Sequence, residues 1–117
     1  GLLENGAKEE NIELIEVPGS YELISGSDIA LRNQELDAVI TLGCVIQGET
    51  RHFDFICDAV ANGIAQVGIK YNKPVIFGVL TTDNQEQALD RAGGKHGNKG
   101  EEAAITAIQM GLIHKNH

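Results

Sequence analysis

The segment LDAVITLGCVI, Leu36 to Ile46, carries a near-continuous apolar run of strand length. Unbroken apolarity, in place of in–out alternation, is the pattern of a strand covered on both faces, as in a parallel sheet. KPVIFGVLTT, Lys73 to Thr82, is a second such run, with Pro74 at its start, where a missing N–H is tolerated. Between the two, FDFICDAVANGIAQVGIKYN places Phe53, Ile56, Val60, Ile64 and Val67 three or four apart, one apolar stripe of a helix. Strand, helix and strand in this order predict a right-handed crossover and a parallel α/β sheet.

The flanking segments extend the alternation. NIELIEVPG alternates, is rich in Ile, Leu and Val, and stops at Pro18-Gly19, so it reads as a strand ending in a turn. Ser20 is a suitable N-cap for SYELISGSDIALRN, in which Leu23, Ile24, Ile29, Ala30 and Leu31 recur at helical spacing and Gly26 weakens the middle. Thr82 and Gln85 fit a capping box opening DNQEQALDRAGG, which Gly93-Gly94 ends. GNKGEEAAITAIQMGLIHK then opens a last helix with Glu101 and Glu102 in its first turn, where the helix dipole favours them. At 117 residues, 1–117 reads as a single domain.

Composition removes several classes of function. A formal net charge of −8 argues against nucleic acid, whose phosphates demand a basic face. No apolar run approaches the roughly 20 residues of a membrane span. GLLENGAKEEN lacks the pattern of a secretory signal, which leads to the expectation of a cytoplasmic or organellar-matrix home. Cys44 and Cys57 have the spacing of neither a disulfide framework nor a metal site, and both are expected as free thiols. No cluster has metal-ligand spacing, and neither a Walker A loop nor a dinucleotide fingerprint occurs.

Ligands on open parallel sheets gather at the carboxyl ends of the strands. Three loops fall there: PGSYE (18–22), CVIQGETRH (44–52) and FGVLTT (77–82). In the second, Gly48 lets a backbone approach a ligand, and the free N–H groups of the following helix favour an anion. His52 at the helix entrance either transfers protons near neutral pH or simply caps and packs the helix start. DRAGGKHGNKG interleaves Arg91, Lys95, His96 and Lys99 with four glycines. It is either a solvated turn or a source of phosphate ligands in Arg91 and Lys99. Ser20, Tyr21 and Glu22 offer a hydroxyl, a ring and a carboxylate to a polar heterocycle or polyol, or form only a turn and cap. Phe77 is either core or a surface for a planar substrate.

VPGSYE, GCVIQGETRHFDFI, FGVLTTDNQEQALDRAG and GKHGNKGEEAA, in this order and spacing, closely resemble the lumazine synthase family over nearly the whole chain. The resemblance implies a three-layer αβα sandwich around a parallel, flavodoxin-like sheet. It implies a transferase of riboflavin biosynthesis that condenses 5-amino-6-ribitylaminouracil with 3,4-dihydroxy-2-butanone 4-phosphate. The products would be 6,7-dimethyl-8-ribityllumazine, phosphate and water, with no cofactor and no metal. Matched residue by residue, the Gly48, Glu49 and Thr50 loop would cradle the phosphate and Arg91 from a neighbouring subunit would complete that pocket. His52 would shuttle protons. Ser20, Tyr21 and Glu22 would hold the ribityl and pyrimidine side, and Cys44, Val45 and Ile46 would line the heterocycle mainly through their backbone. Phe77 would reach in from the adjacent subunit, and Lys99 would pair with the phosphate region. Glu49 departs from the small residue often found before the threonine, though Gly-Glu-Thr also occurs in the family. The implied assembly is a homo-oligomer, a pentamer able to build an icosahedral shell, with riboflavin synthase as a candidate partner.

Family members begin with a strand carrying an aromatic-Asn motif and a long first helix, whereas this chain opens at GLLENGAKEEN. The expectation is an N-terminally incomplete domain in which IELIEV and AVITLG do not pair directly and a further segment lies between them. A competing expectation is a non-catalytic shell or scaffold protein of the same fold with an incomplete site. A flavodoxin-like flavin binder is weaker, since no phosphate loop follows the first strand-like segment.

Overall fold

The structure, a computed structural model, describes residues 2–33, 35–46, 52–82, 92–94 and 97–117. Its centre is a parallel pair, β1 (Val39–Ile46) and β2 (Val75–Thr82), in unbroken register from Val39 opposite Val75 to Ile46 opposite Thr82. Both apolar runs therefore form strands where the sequence places them. Pro74 precedes β2 and still contributes its carbonyl, which accepts from the Val39 N–H at 3.0 Å. The missing proline N–H costs the ladder nothing at that position.

α2 (His52–Tyr71) makes the crossover and α1 (Leu23–Leu31) packs beside it; α3 (Lys99–Asn116) packs against both strands. Strand side chains alternate between two apolar clusters. On one face Val60 and Ile64 of α2 meet Val79, with Leu23, Val45, Ile56 and Val75 around them. On the other, Ala103 and Ala107 of α3 meet Ile76, with Ala38, Ile40 and Met110 around them. Helices thus cover both faces, as expected for a three-layer α/β fold. The stripe anticipated on α2 agrees, since Val60, Ile64 and Val67 are buried. On α1 Leu31 is buried but Ile29 is exposed, so that residue lies off the packed face. Burying a side chain such as Val60 or Leu31 contributes about 1.5–3 kcal/mol. Helix α3 comes close because it lies over a glycine: a Cβ on Gly78 would stand 3.3 Å from the Ala103 Cβ and 2.5 Å from the Thr41 carbonyl oxygen.

One polar side chain of this core links the two strands. Thr41 is buried, and its hydroxyl donates to the Ile76 carbonyl at 2.7 Å, adding a side-chain link across the ladder. Helix α2 ends just before Asn72, whose φ of 52° is left-handed. The Lys73 N–H then returns to the Gly68 carbonyl at 3.1 Å and the Asn72 N–H to Ile69 at 3.2 Å, the paired bonds of a Schellman termination. His114 near the end of α3 sets Nδ1 3.1 Å from the Asn72 carbonyl and ties the last helix to this turn.

Three sequence expectations need correction or restriction. Ile12–Val17 is not a strand: it belongs to no ladder among the described residues and is largely exposed. A strand persists through hydrogen bonds to a neighbour, and here the segment faces β1 across a groove of about 660 Å³ lined also by Leu2, Leu23, Leu36 and Ala104. As expected, IELIEV and AVITLG do not pair directly. Ser20 does not cap α1 through its side chain; Ser20–Glu22 forms a 3₁₀ turn and the helix starts at Leu23. Gly93-Gly94 does not close a helix in the expected way, because Ala92–Gly94 forms β3, antiparallel to β4 (Gly97–Asn98). The proposed helix over 83–91 lies outside the described residues.

The α1–α2 junction carries a polar cluster that periodicity did not reveal. Asp28 accepts from Lys70 Nζ at 3.1 Å, from the Tyr71 hydroxyl at 3.0 Å and from Arg32 Nε and Nη2 at 3.2 and 3.0 Å. The bond from Lys70, then that from Tyr71, then that from Arg32, hold its carboxyl below the usual carboxylate range. A depressed folded-state pKa gives stability that is present above the unfolded pKa and is lost as pH falls through the folded one. Asp28→Asn should therefore lower Tm at pH 7, and the gap from the unsubstituted chain should close as pH falls below about 4. Thermal melts from pH 7 to pH 3 measure this, and a gap that stays constant across the range contradicts the assignment.

Candidate functional site

In a parallel pair both carboxyl ends point the same way, so Ile46 and Thr82 finish at one end of the sheet. Helix α2 begins at that end of the crossover with His52, which is exposed. The third contribution comes from the Ser20–Glu22 turn, which packs against both β1 and α2. The reason for this close approach is a glycine within the strand. A Cβ on Gly43 would stand 2.8 Å from the Ser20 Oγ and 3.3 Å from the Leu23 Cδ1. The Ser20 hydroxyl occupies the space that a Cβ at position 43 would fill. A glycine inside an apolar strand marks close approach of another backbone, and that signal was present in GCVI without being used.

Around this junction Ser20 is half-buried while Tyr21 and Glu22 are exposed. The Tyr21 ring is 55% exposed, so it stands at the surface beside this junction. Cys44 is an exposed free thiol on β1, and Val45 points the other way, into the cluster with Val60 and Ile64. Ile46 closes the strand opposite Thr82. Cys57, also free, lies on α2, where burial and then the carboxylates of Asp54 and Asp58 push its thiol up. A raised pKa removes thiolate character, which makes Cys57 a poor nucleophile.

A second group assembles elsewhere. Phe77, opposite Thr41 in the register, and Lys99, the first residue of α3, line one cavity of about 660 Å³ with Val75, Ile76, Glu102, Ala103, Ile105 and Thr106. Lys99 Nζ is 4.0 Å from the Glu102 Oε2, a pair one helical turn apart and largely open to solvent. Ser20, Tyr21, Cys44 and His52 do not line this cavity. The sequence-predicted residues thus fall into two sets on one chain: the Ser20–Glu22 turn with the end of β1 and the start of α2, and Phe77 with Lys99. Gly48, Glu49, Thr50, Arg51, Arg91, Lys95 and His96 lie outside the described residues.

Among the described residues no group of His, Cys, Asp and Glu is arranged to hold a metal ion, and no helix is long and apolar enough to cross a membrane. Comparison with known proteins gives the architecture a family. The model of the family described as 6,7-dimethyl-8-ribityllumazine synthase matches residues 1–115. A protein of that name from Cytophaga hutchinsonii is 65% identical over 109 residues, which cover 93% of this chain and 69% of the relative. One from Bacteroides fragilis is 54% identical over 109 residues, covering 93% of this chain and 76% of the relative. One from Aquifex aeolicus is 45% identical over 115 residues, covering 98% of this chain and 75% of the relative. With nearly the whole chain matched, and its helices packed on a parallel sheet, the chain belongs to the 6,7-dimethyl-8-ribityllumazine synthase family, transferases of riboflavin biosynthesis.

Proposed function

We propose that this chain condenses 5-amino-6-ribitylaminouracil with 3,4-dihydroxy-2-butanone 4-phosphate to 6,7-dimethyl-8-ribityllumazine, and that its site is shared between subunits. The observation that carries the reading is the meeting of the Ser20–Glu22 turn with β1 at Gly43, at the end of the sheet where α2 starts with His52. Ser20, Tyr21 and Glu22 hold the ribityl and pyrimidine groups, and Cys44, Val45 and Ile46 line the heterocycle through their backbone. The Gly48–Glu49–Thr50 loop binds phosphate at the N-terminus of α2, where the positive end of the helix dipole favours an anion. The amine adds to the ketone and loses water to form an imine; phosphate then leaves, and ring closure expels a second water. His52 moves protons in these steps.

Phe77 and Lys99 line a cavity apart from the Ser20 turn, and this separation supports delivery of that set, together with Arg91, to a neighbour's site. The proposed assembly is a ring of five, from which an icosahedral shell able to hold riboflavin synthase can be built. The groove beside β1 belongs to the same reading: one more extended segment seated there would pair with the edges of β1 and Ile12–Val17 that face it, which are unpaired among the described residues. The buried hydroxyl of Ser27, on the wall of that groove and without a hydrogen-bond partner among the described residues, supports a site that takes backbone. The relatives are named as synthases, which does not favour the non-catalytic scaffold.

Mixing the two substrates with the protein tests the activity directly through the absorbance and fluorescence of the lumazine, and a rate equal to that of the protein-free mixture overturns it. His52→Ala should slow turnover about 10²- to 10⁴-fold or less while leaving substrate affinity nearly unchanged, because a positioned acid–base group acts on rate. An unaltered rate removes the proton-transfer role. Arg91→Ala should raise KM for the phosphorylated ketone far more than KM for the pyrimidine, since a guanidinium matches phosphate in a bidentate way that alanine cannot. Equal losses for both substrates would count against this role. Sedimentation should give a five-subunit ring or a shell of such rings, and a fully active monomer is the contrary result.

A further inference from the structure

We infer that Gly43 is a positioning residue for the pyrimidine substrate: its bare Cα reserves the space in which the Ser20 hydroxyl points. This rests on the reading of Ser20 as a ligand of the ribityl and pyrimidine side. Gly43 lies within β1, three residues before its end, and is half-buried. A Cβ there would come to 2.8 Å from the Ser20 Oγ but only to 3.7 Å from the Ser20 Cβ. The first distance is too short for the two atoms to coexist, while the second is ordinary van der Waals contact. The least costly response to a methyl group at position 43 is thus rotation of the Ser20 χ1, which turns the hydroxyl to another well and leaves the backbone of the turn where it is. The Leu23 Cδ1, at 3.3 Å, adjusts by a few tenths of an ångström as the end of a flexible side chain.

The requirement for glycine here does not come from φ. Among the described residues the only positive-φ positions are Gly6 and Asn72, so position 43 has backbone angles that alanine adopts. Steric exclusion by one hydroxyl is what separates glycine from alanine. That gives a directional consequence which a general packing defect would not: substitution at 43 acts through the Ser20 Oγ and hence on one substrate.

Four proteins test this: the unsubstituted chain, Gly43→Ala, Ser20→Ala and the double variant, each assayed for KM toward the pyrimidine and toward the phosphorylated ketone. Gly43→Ala and Ser20→Ala should each raise KM for the pyrimidine about 3- to 10-fold, the range for one neutral hydrogen bond. The double variant should match Ser20→Ala alone, because the hydroxyl through which Gly43 acts is gone. KM for the ketone should stay within twofold throughout. A pyrimidine KM unaffected by Gly43→Ala but raised by Ser20→Ala overturns the inference, as do effects that multiply in the double variant. If Ser20→Ala itself leaves that KM unchanged in an active enzyme, the assignment of Ser20 fails first and the inference falls with it. If Gly43→Ala does not fold, recovery of a folded double variant supports the contact with the Ser20 Oγ. An unfolded double variant places the obstruction at Leu23 and overturns it.

Discussion

The eight-residue parallel ladder between β1 and β2 is the constraint on which the rest of the structure depends. Its register decides which side chains face which helix, because alternation along each strand is fixed once one pair is set. Shifting it by one residue would turn Val79 and Val75 away from α2 and direct Ile76 out of the cluster with Ala103 and Ala107. The Thr41 hydroxyl reinforces the register from within, since it reaches the Ile76 carbonyl only in this alignment. A buried hydroxyl left without that acceptor would cost about 1–3 kcal/mol.

The same ladder orders the candidate site. Parallel strands send both carboxyl ends to one end of the sheet, and the crossover helix returns from that end, so the strand end and the helix start are brought together by topology alone. What topology does not supply is the Ser20–Glu22 turn, whose Ser20 hydroxyl points into the space that β1 leaves open at Gly43. Similarly, α3 settles low over β2 because Gly78 lacks one, and this closeness carries Lys99 to the cavity beside Phe77. Two glycines in apolar strands therefore set two approaches, one for each set of candidate residues. Their common feature is the absence of a Cβ and not an unusual backbone angle.

Away from the site, α1 and α2 are locked by side chains of a different kind. Asp28 collects donors from Arg32, Lys70 and Tyr71 at an exposed junction, where single ion pairs are weak and screened. Shared acceptance makes the cluster directional: Lys70 and Tyr71 end α2, immediately before the left-handed Asn72 that turns the chain into β2. The cluster thus fixes the far end of the crossover, opposite the end at which His52 stands.

Much of this was legible in the amino-acid order. Apolar runs of strand length named β1 and β2, the three-to-four spacing of Phe53 to Val67 named α2, and acidic residues after Lys99 marked the start of α3; these signals are local, and burial only confirms them. The motifs carrying Ser20, Cys44, His52, Phe77 and Lys99 were equally legible, because each is a short contiguous string. Tertiary structure decided the rest. Ile12–Val17 has the composition of a strand, yet whether such a segment becomes one depends on a neighbour able to take its N–H and C=O groups, and the ladder of β1 runs only to β2 among the described residues. Gly43 reads in sequence as an interruption of an apolar run; only the fold shows that the missing Cβ leaves room for a hydroxyl from twenty-three positions earlier in the chain. Local pattern determines which segments are helical or extended because propensity and periodicity act over a few residues. Pairing, close approach and the division of candidate residues into two sets depend on contacts between distant segments, and those exist only once the chain has folded.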